Sequence, residues 1–242
     1  MSRLACVFAH PDDETFSTGG TVAKAAAAGT RIDLFCATDG DAGKSSGIPV
    51  SSQAELASVR RSELAAAARI LGIASLTTPG HADGMLRDVD ADRLVGEIVL
   101  FLRQHAPDVM VTFGPEGAPN AHRDHRAISR AATAAFFLSG LATAYPEQLV
   151  EVRPHAAARL YYVAWERPAG DAEPRIQSVP PTTCVDVRSH LETKRRAFLA
   201  HASQRQHQQR FEELAFKDAE YYALAAGQPQ PSSVTEDLFE GL

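Results

Sequence analysis

The length, composition and charge of the chain restrict its architecture and its partners. With 242 residues, 45% of them hydrophobic, it is long enough for one large α/β domain with a substantial core. A net charge of -6 argues against a nucleic acid or an anionic membrane surface as a partner, because either would need a basic face. Without a membrane-spanning apolar run or a signal-peptide pattern, we expect a soluble, cytoplasmic protein.

Strand and helix patterns alternate along the first half of the chain. The apolar run over residues 4–8 predicts a buried parallel strand. After it we expect helices over residues 15–28, 53–71 and 92–105, and strands over residues 32–37, near Ser75 and over 109–113. This alternation predicts a Rossmann-like, mostly parallel sheet flanked by helices.

The second half of the chain predicts additional strands and helices. Strand patterns occur around residues 160–165 and 184–187, and a helical pattern follows over residues 192–204. We expect a single domain over residues 1–226. The tail, residues 227–242, begins with a stretch rich in Pro, Gln and Ser and is expected to be flexible or to contact a neighbouring subunit of a possible homo-oligomer.

A cluster of charged side chains directly follows the first predicted strand. The segment Ala9-His10-Pro11-Asp12-Asp13-Glu14 falls at the carboxyl end of that strand, where open α/β sheets bind ligands. Carboxylates this crowded need a cation, and the spacing of His10 and Asp13 puts both side chains on one side of a turn. The alternative is that these carboxylates only cap a helix N-terminus, an interpretation that we favour for Glu14.

A second cluster, His122-Arg123-Asp124-His125, supplies the nitrogen ligands that the first lacks. Three imidazole or carboxylate ligands with an open position for water are typical of catalytic Zn2+, and a set of two histidines and one carboxylate also suits Fe2+. Asp124 is expected to orient a histidine ring by accepting its other N–H. By itself, a pair of histidines at helical spacing often lies on the solvent-exposed face of a helix and binds no metal.

The two motifs together resemble the LmbE-like (PIG-L) zinc-dependent N-deacetylases, which carry A-H-P-D-D-E after the first strand and H-x-D-H later. The resemblance implies that His10, Asp13 and His125 bind the metal, Asp12 is the general base and His122 assists the transition state. It further implies removal of an N-acetyl group from an N-acetylated sugar, a GlcNAc-type conjugate. In that reaction a metal-activated water attacks the amide, and protonated His122 stabilises the developing charge.

Softer similarities to the same family suggest residues that bind the substrate. These are Arg60 with Glu63, Asp83 in an Asp-Gly pair, and His201 in the pattern H-x-S-Q. The alternatives are an ordinary intrahelical ion pair for Arg60 and Glu63 and a surface position for His201.

Two other functions remain open on the sequence. A related metal-dependent amidase that cleaves a larger acyl group or a thiol-conjugate amide would share every catalytic residue. A nucleotide-binding Rossmann protein would carry a G-x-G-x-x-G turn after the first strand, where this chain places carboxylates that would repel a pyrophosphate. In each case the partner is a small molecule.

Overall fold

The secondary structure comes from a computed structural model that describes residues 1–166, 176–231 and 237–242. Its main elements, in chain order, are β1 (Arg3–Phe8), α1 (Asp13–Ala27), β2 (Arg31–Cys36), α2 (Gln53–Leu71), β3 (Ser75–Thr77), α3 (Ala91–His105), β4 (Val109–Phe113), α4 (Arg123–Leu138), β5 (Arg159–Ala164), β6 (Thr183–Asp186), α5 (Leu191–Ala200) and β7 (Ala219–Gly227). Most of these elements match the predicted ones within a few residues, which confirms the predicted α/β fold.

The strands form one mostly parallel sheet with the order β3-β2-β1-β4-β5-β7-β6. β1 is parallel to both of its neighbours, β2 and β4. The chain therefore proceeds outward from β1 in one direction as far as β3 and then returns to the other side of β1 at β4. This reversal creates a crevice between the carboxyl ends of β1 and β4, which is where open α/β sheets place their ligands.

Helices cover the sheet in two groups. α1, α2 and α5 contact one another, and α3 contacts α4, as in a doubly wound fold. The central strands are buried, so β1 reads as a continuous apolar run instead of an alternating one. The core thus holds β1 and β4 rigidly and fixes the two loops that follow them.

The last strand, β7, was missed by the sequence analysis, which predicted no strand after residues 184–187. β7 is antiparallel to both β5 and β6 and lies between them. Its sequence, AEYYALAAG, is rich in Ala, which has the highest helix propensity. Pairing with two neighbouring strands overrides that local preference.

The predicted helix over residues 192–204 ends earlier than expected. α5 stops at Ala200, and the chain continues as a 3₁₀ helix (Ala202–His207), a single α-helical turn (Gln208–Arg210) and a π-helical turn (Phe211–Ala215). Irregular helical turns of this kind carry side chains away from the regular helical stripe.

The described part of the predicted tail packs against β5. The Arg159 guanidinium donates hydrogen bonds to the carbonyls of Gln228, Pro229, Leu238 and Glu240. The division into a single domain and a subunit-contacting tail stays a prediction. Over the ranges described, no helix combines the length and the apolar character that crossing a membrane would need.

Candidate metal centre and active site

A cavity of about 560 Å³ opens at the carboxyl ends of β1 and β4. Most of the residues predicted to function here line it: His10, Asp12, Asp13, Arg60, Asp83, His122 and His125. The loops after β1 and β4 bring the two motifs together, although more than a hundred residues separate them in the chain. The two clusters therefore form one site.

The three predicted metal ligands contact one another in a chain centred on Asp13. One Asp13 carboxylate oxygen lies 3.4 Å from His10 Nδ1, and the other lies 3.3 Å from His125 Nε2. His10, Asp13 and His125 are each less than a tenth exposed. Buried imidazoles and a carboxylate at such distances are the donor set of a metal site.

The surroundings of His125 direct one ring nitrogen at Asp13. His125 Nδ1 lies 3.2 Å from the Ala118 carbonyl, to which it can donate only as N–H. The ring also stacks on Phe113, the last residue of β4, at 3.9 Å between centroids. In the neutral ring this leaves the Nε2 lone pair free, as a metal ligand requires.

Two further groups could also hold a metal. Among the described residues, the possible ligand atoms of His10, His122 and His125 lie within 4.8 Å of one another, and so do those of His10, Asp83 and Asp124. His10 belongs to both groups and contacts Asp13 as well. The predicted ligands thus lie within a larger set of donors centred on His10.

Asp12, the residue directly before α1, has an unusual backbone conformation. Its φ is 114°, in the left-handed region that non-glycine residues rarely adopt. Its carboxylate lines the cavity, 3.5 Å from the Arg60 guanidinium. Burial raises the pKa of Asp12 to about 6, against the opposing effect of Arg60 and with a contribution from the Asp13 charge. A carboxylate with this pKa is suited to accept a proton near neutral pH.

His122 lies across the cavity at the start of α4. Its Nδ1 accepts a hydrogen bond from the Asp124 backbone N–H at 3.3 Å, so in the neutral ring the proton is on Nε2. Burial, together with the His10 and His125 imidazoles, lowers the pKa of His122. The structure therefore favours a neutral His122, whereas the sequence analysis expected an imidazolium.

Asp124 and Asp83 both contact the ring of His10. Asp124 is fully buried, with one carboxylate oxygen 3.4 Å from His10 Nε2, and it accepts hydrogen bonds from the backbone N–H groups of Gly84 and Leu86. Asp83 lines the cavity, 3.0 Å from the same Nε2. Asp124 is therefore placed to orient His10, while Asp83 is also accessible from the cavity.

The other residues suggested for substrate binding separate into two kinds. Arg60 lines the cavity, and its guanidinium donates to the carbonyls of Pro11 and Gly40. Glu63 and His201 are buried away from it. Glu63 accepts hydrogen bonds from the backbone N–H and the hydroxyl of Ser203 instead of pairing with Arg60. Neither Glu63 nor His201 is positioned to touch a substrate in the cavity.

Sequence reasoning missed part of the rim of the cavity. The Gly-rich loops after β2 and β4, over residues 39–52 and 114–120, are long enough to be expected as pocket walls, and they contribute Gly43, Lys44, Pro119 and Asn120. The other rim residues come from α1 and from the irregular turns after α5: Phe16, Ser17, Gln204, Gln206, His207 and Arg210. Those that follow α5 show no ligand-like spacing in the sequence, so only the path of the chain reveals them.

Comparison with known proteins finds relatives across the whole chain. Residues 5–136 match the model of the family described as PIG-L: GlcNAc-PI de-N-acetylase. The 1D-myo-inositol 2-acetamido-2-deoxy-alpha-D-glucopyranoside deacetylase of Rhodococcus jostii (strain RHA1) is 31% identical over 84% of this chain and 81% of its own length. The enzyme of the same name from Rhodococcus erythropolis is 30% identical over 99% of this chain and 97% of its own.

A solved structure supports the fold. The N,N'-diacetylchitobiose deacetylase from Pyrococcus horikoshii, in complex with an inhibitor, superimposes with a TM-score of 0.76 at 22% sequence identity. The match covers 92% of this chain and 83% of that one. At this level of identity the likeness concerns the fold.

Proposed function

This chain belongs to the PIG-L family, and from that premise we propose that it removes the acetyl group from an N-acetylated sugar, a GlcNAc-type conjugate. One observation supports the reaction most directly: His10, Asp13 and His125 converge in a cavity that Asp12 and His122 also line. Ligands, a base and a hydrogen-bond donor are the parts that metal-assisted hydrolysis of an amide needs. The deacetylase names of the curated relatives point to the same bond.

We assign the metal as Zn2+, held by His10, Asp13 and His125, with Fe2+ as the alternative. Two imidazoles and one carboxylate fit both ions. The fit rests on the donor set itself, because one Asp13 carboxylate oxygen lies 3.4 Å from His10 Nδ1 and the other lies 3.3 Å from His125 Nε2. When bound, such an ion supplies Lewis acidity, which polarises the amide carbonyl and lowers the pKa of water.

In this mechanism Asp12 transfers the proton and His122 stabilises the developing charge. Asp12 accepts a proton from the water that attacks the amide carbon, and His122 donates a hydrogen bond from Nε2 to the carbonyl oxygen as it gains negative charge. Because the pKa of Asp12 is raised by burial, its carboxyl group can hold that proton and pass it to the nitrogen as the C–N bond breaks. The products are acetate and the free amine.

The test is an assay of released acetate. Purified protein is incubated with a panel of N-acetylated glycosides, including a GlcNAc–inositol conjugate, with and without a chelator and with Zn2+ or Fe2+ restored. We expect acetate from at least one glycoside, loss of activity with the chelator and recovery with metal. Activity that survives complete removal of the metal would contradict the proposal.

The same panel separates the remaining alternative. A metal-dependent amidase for a larger acyl group or a thiol-conjugate amide would use the same residues, so the panel also contains N-propionyl and N-butyryl analogues and a cysteine-linked amide. Faster turnover of those compounds than of the acetyl sugars would favour the alternative. The nucleotide-binding interpretation is not retained, because the loop after β1 holds the carboxylates of this site.

A further inference from the structure

A buried network lies behind the strained start of α1. The backbone of Asp12 has a positive φ, a conformation that persists only where the surroundings enforce it. Two side chains hold the peptide unit that precedes it. The Pro11 carbonyl accepts a hydrogen bond from Arg60, and the Asp12 N–H donates to Glu14 Oε2 at 3.0 Å. The direction of the Asp12 side chain therefore depends on Glu14 as well as on Arg60.

Glu14 is itself held from behind. It is 1% exposed, and its other carboxylate oxygen, Oε1, accepts hydrogen bonds from the Thr15 hydroxyl at 2.6 Å and from His201 Nε2 at 2.8 Å. A buried carboxylate costs free energy unless it is paired and hydrogen-bonded, and these three donors fulfil that condition. The Glu14 carboxylate is thus fixed in one orientation.

His201 reaches this position from a distant part of the chain. It follows α5 directly and is 0% exposed. Its backbone is held locally, because its N–H donates to the Phe198 carbonyl and its own carbonyl accepts from Gln204 N–H. The His201–Glu14 pair therefore ties the end of α5 to the first turn of α1.

We propose that Glu14 and His201 are positioning residues, which hold the Asp12 backbone in its positive-φ conformation and so aim the Asp12 carboxylate into the cavity. This inference rests on the proposed role of Asp12 as the base. Neither Glu14 nor His201 lines the cavity, so both act through Asp12 and not on the substrate. His201 is thereby assigned a different role from the substrate contact that the family resemblance suggested.

The competing role is structural, since a carboxylate in the first turn also caps a helix. Glu14→Gln and His201→Gln remove the charges of the pair and keep side chains of similar size. If the pair positions Asp12, each variant lowers kcat about 10- to 100-fold, as misplacement of a reacting group does, and leaves KM nearly unchanged. Metal content, measured by elemental analysis, stays at the parent level.

The decisive measurement combines each variant with Asp12→Asn. Residues that act through Asp12 lose their effect once the base is gone, so the kcat of Asp12→Asn/Glu14→Gln should equal that of Asp12→Asn within about threefold. If Glu14 had a purely structural role, the losses of kcat in the two single variants would instead multiply in the double variant. Thermal unfolding of every variant verifies that it is folded at the assay temperature.

Glu220→Gln is the matched control. Glu220 is also a buried carboxylate that accepts hydrogen bonds from backbone N–H groups of α1, those of Gly20 and Thr21, and it pairs with a buried cation, Lys194. Glu220 belongs to β7, and the residues of α1 that it contacts lie further along the helix than Asp12, so Glu220→Gln should keep kcat within about twofold.

The outcomes distinguish the positioning role of Glu14 and His201 from the role of Asp12 as the base. Multiplying losses in the double variant, or parent-like kcat in folded Glu14→Gln and His201→Gln, would overturn the positioning role alone. Parent-like turnover of Asp12→Asn would overturn the base role, and the positioning role with it.

Discussion

At the residue scale, the adjacent carboxylates of Asp12, Asp13 and Glu14 have three different environments. Burial raises the pKa of Asp12 to about 6, against Arg60. Burial would raise the pKa of Asp13 too, but the His125 and His10 imidazoles hold it well below its ordinary value. For Glu14, burial is likewise outweighed by His201, which lowers the pKa. The same side-chain chemistry thus suits a base, a metal ligand and a positioning residue, and the neighbours decide which.

Alanine variants of the two histidines in the second motif, His122 and His125, should lose activity for different reasons. We expect His125→Ala to lose bound metal and activity together, because three protein ligands leave little redundancy. His122→Ala is the matched control from the same motif and should bind metal normally while kcat falls with little change in KM. The measurements are elemental analysis and steady-state kinetics. Full metal content in His125→Ala would refute its assignment as a ligand.

Removing only the proton acceptor tests Asp12. Asp12→Asn keeps the shape of the side chain and should retain metal, while turnover falls about 10²- to 10⁴-fold, the usual contribution of general-base catalysis. Acetate release and metal content are measured on the same preparation. Parent-like turnover would mean that another group accepts the proton.

At the scale of elements, α1 connects the site to the rest of the fold. Its N-terminal end places Asp12 and Asp13 in the cavity. In the middle of the helix, Glu220 of β7 accepts a hydrogen bond from the Gly20 N–H and forms an ion pair with Lys194 at 2.6 Å. Lys194 and Glu220 are both almost fully buried. The missed strand β7 therefore helps to hold the middle of α1 in the fold, away from the catalytic end of the helix.

Breaking this ion pair should destabilise the fold and leave catalysis intact. Lys194→Met keeps much of the volume of the side chain but leaves Glu220 buried without its cation, which typically costs about 3 to 5 kcal/mol. Urea unfolding should show this loss, and kcat of the folded protein should stay at the parent level.

A double variant provides the control for the ion-pair prediction. Lys194→Met/Glu220→Gln removes the uncompensated charge and should recover part of the stability, because the two residues act as one pair. Equal stability of Lys194→Met and the parent would show that the pair contributes nothing.

At the scale of the whole molecule, the site exists only when the sheet is formed. The loop after β1 and the loop after β4 meet because β1 and β4 are adjacent in the strand order. A metal bound by residues from both loops therefore binds the folded chain and not the unfolded one, and it links the two halves of the sequence.

Removal of the metal should lower thermal stability. An ion present at 100 times its dissociation constant stabilises the folded state by about 2.7 kcal/mol, so chelation should lower Tm by several degrees and restored Zn2+ should reverse the change. Differential scanning calorimetry measures the shift. His125→Ala is the control and should show no dependence of Tm on metal or chelator; a dependence equal to that of the parent would place the metal elsewhere.

Much of the fold and of the central site was predictable because its signals are local. Buried parallel strands read as apolar runs, and polar motifs directly after β1 and β4 fall at one edge of the sheet. The two motifs and their family resemblance therefore suffice to predict His10, Asp13 and His125 as metal ligands and Asp12 as the base. The strand β7 was not predictable in this way, because its Ala-rich sequence favours a helix until two neighbours pair with it.

The sequence by itself determined the α/β class, the family and the chemical groups of the site, since each is written in short stretches of chain. Only the tertiary structure decided what those groups do to one another. It paired Glu14 with His201 across 187 residues and brought Asp124 against His10 across 114. It also directed Glu63 to Ser203 instead of to Arg60. The reason is physical: burial, hydrogen bonding and pKa depend on distances in space, and separation along the chain does not specify them.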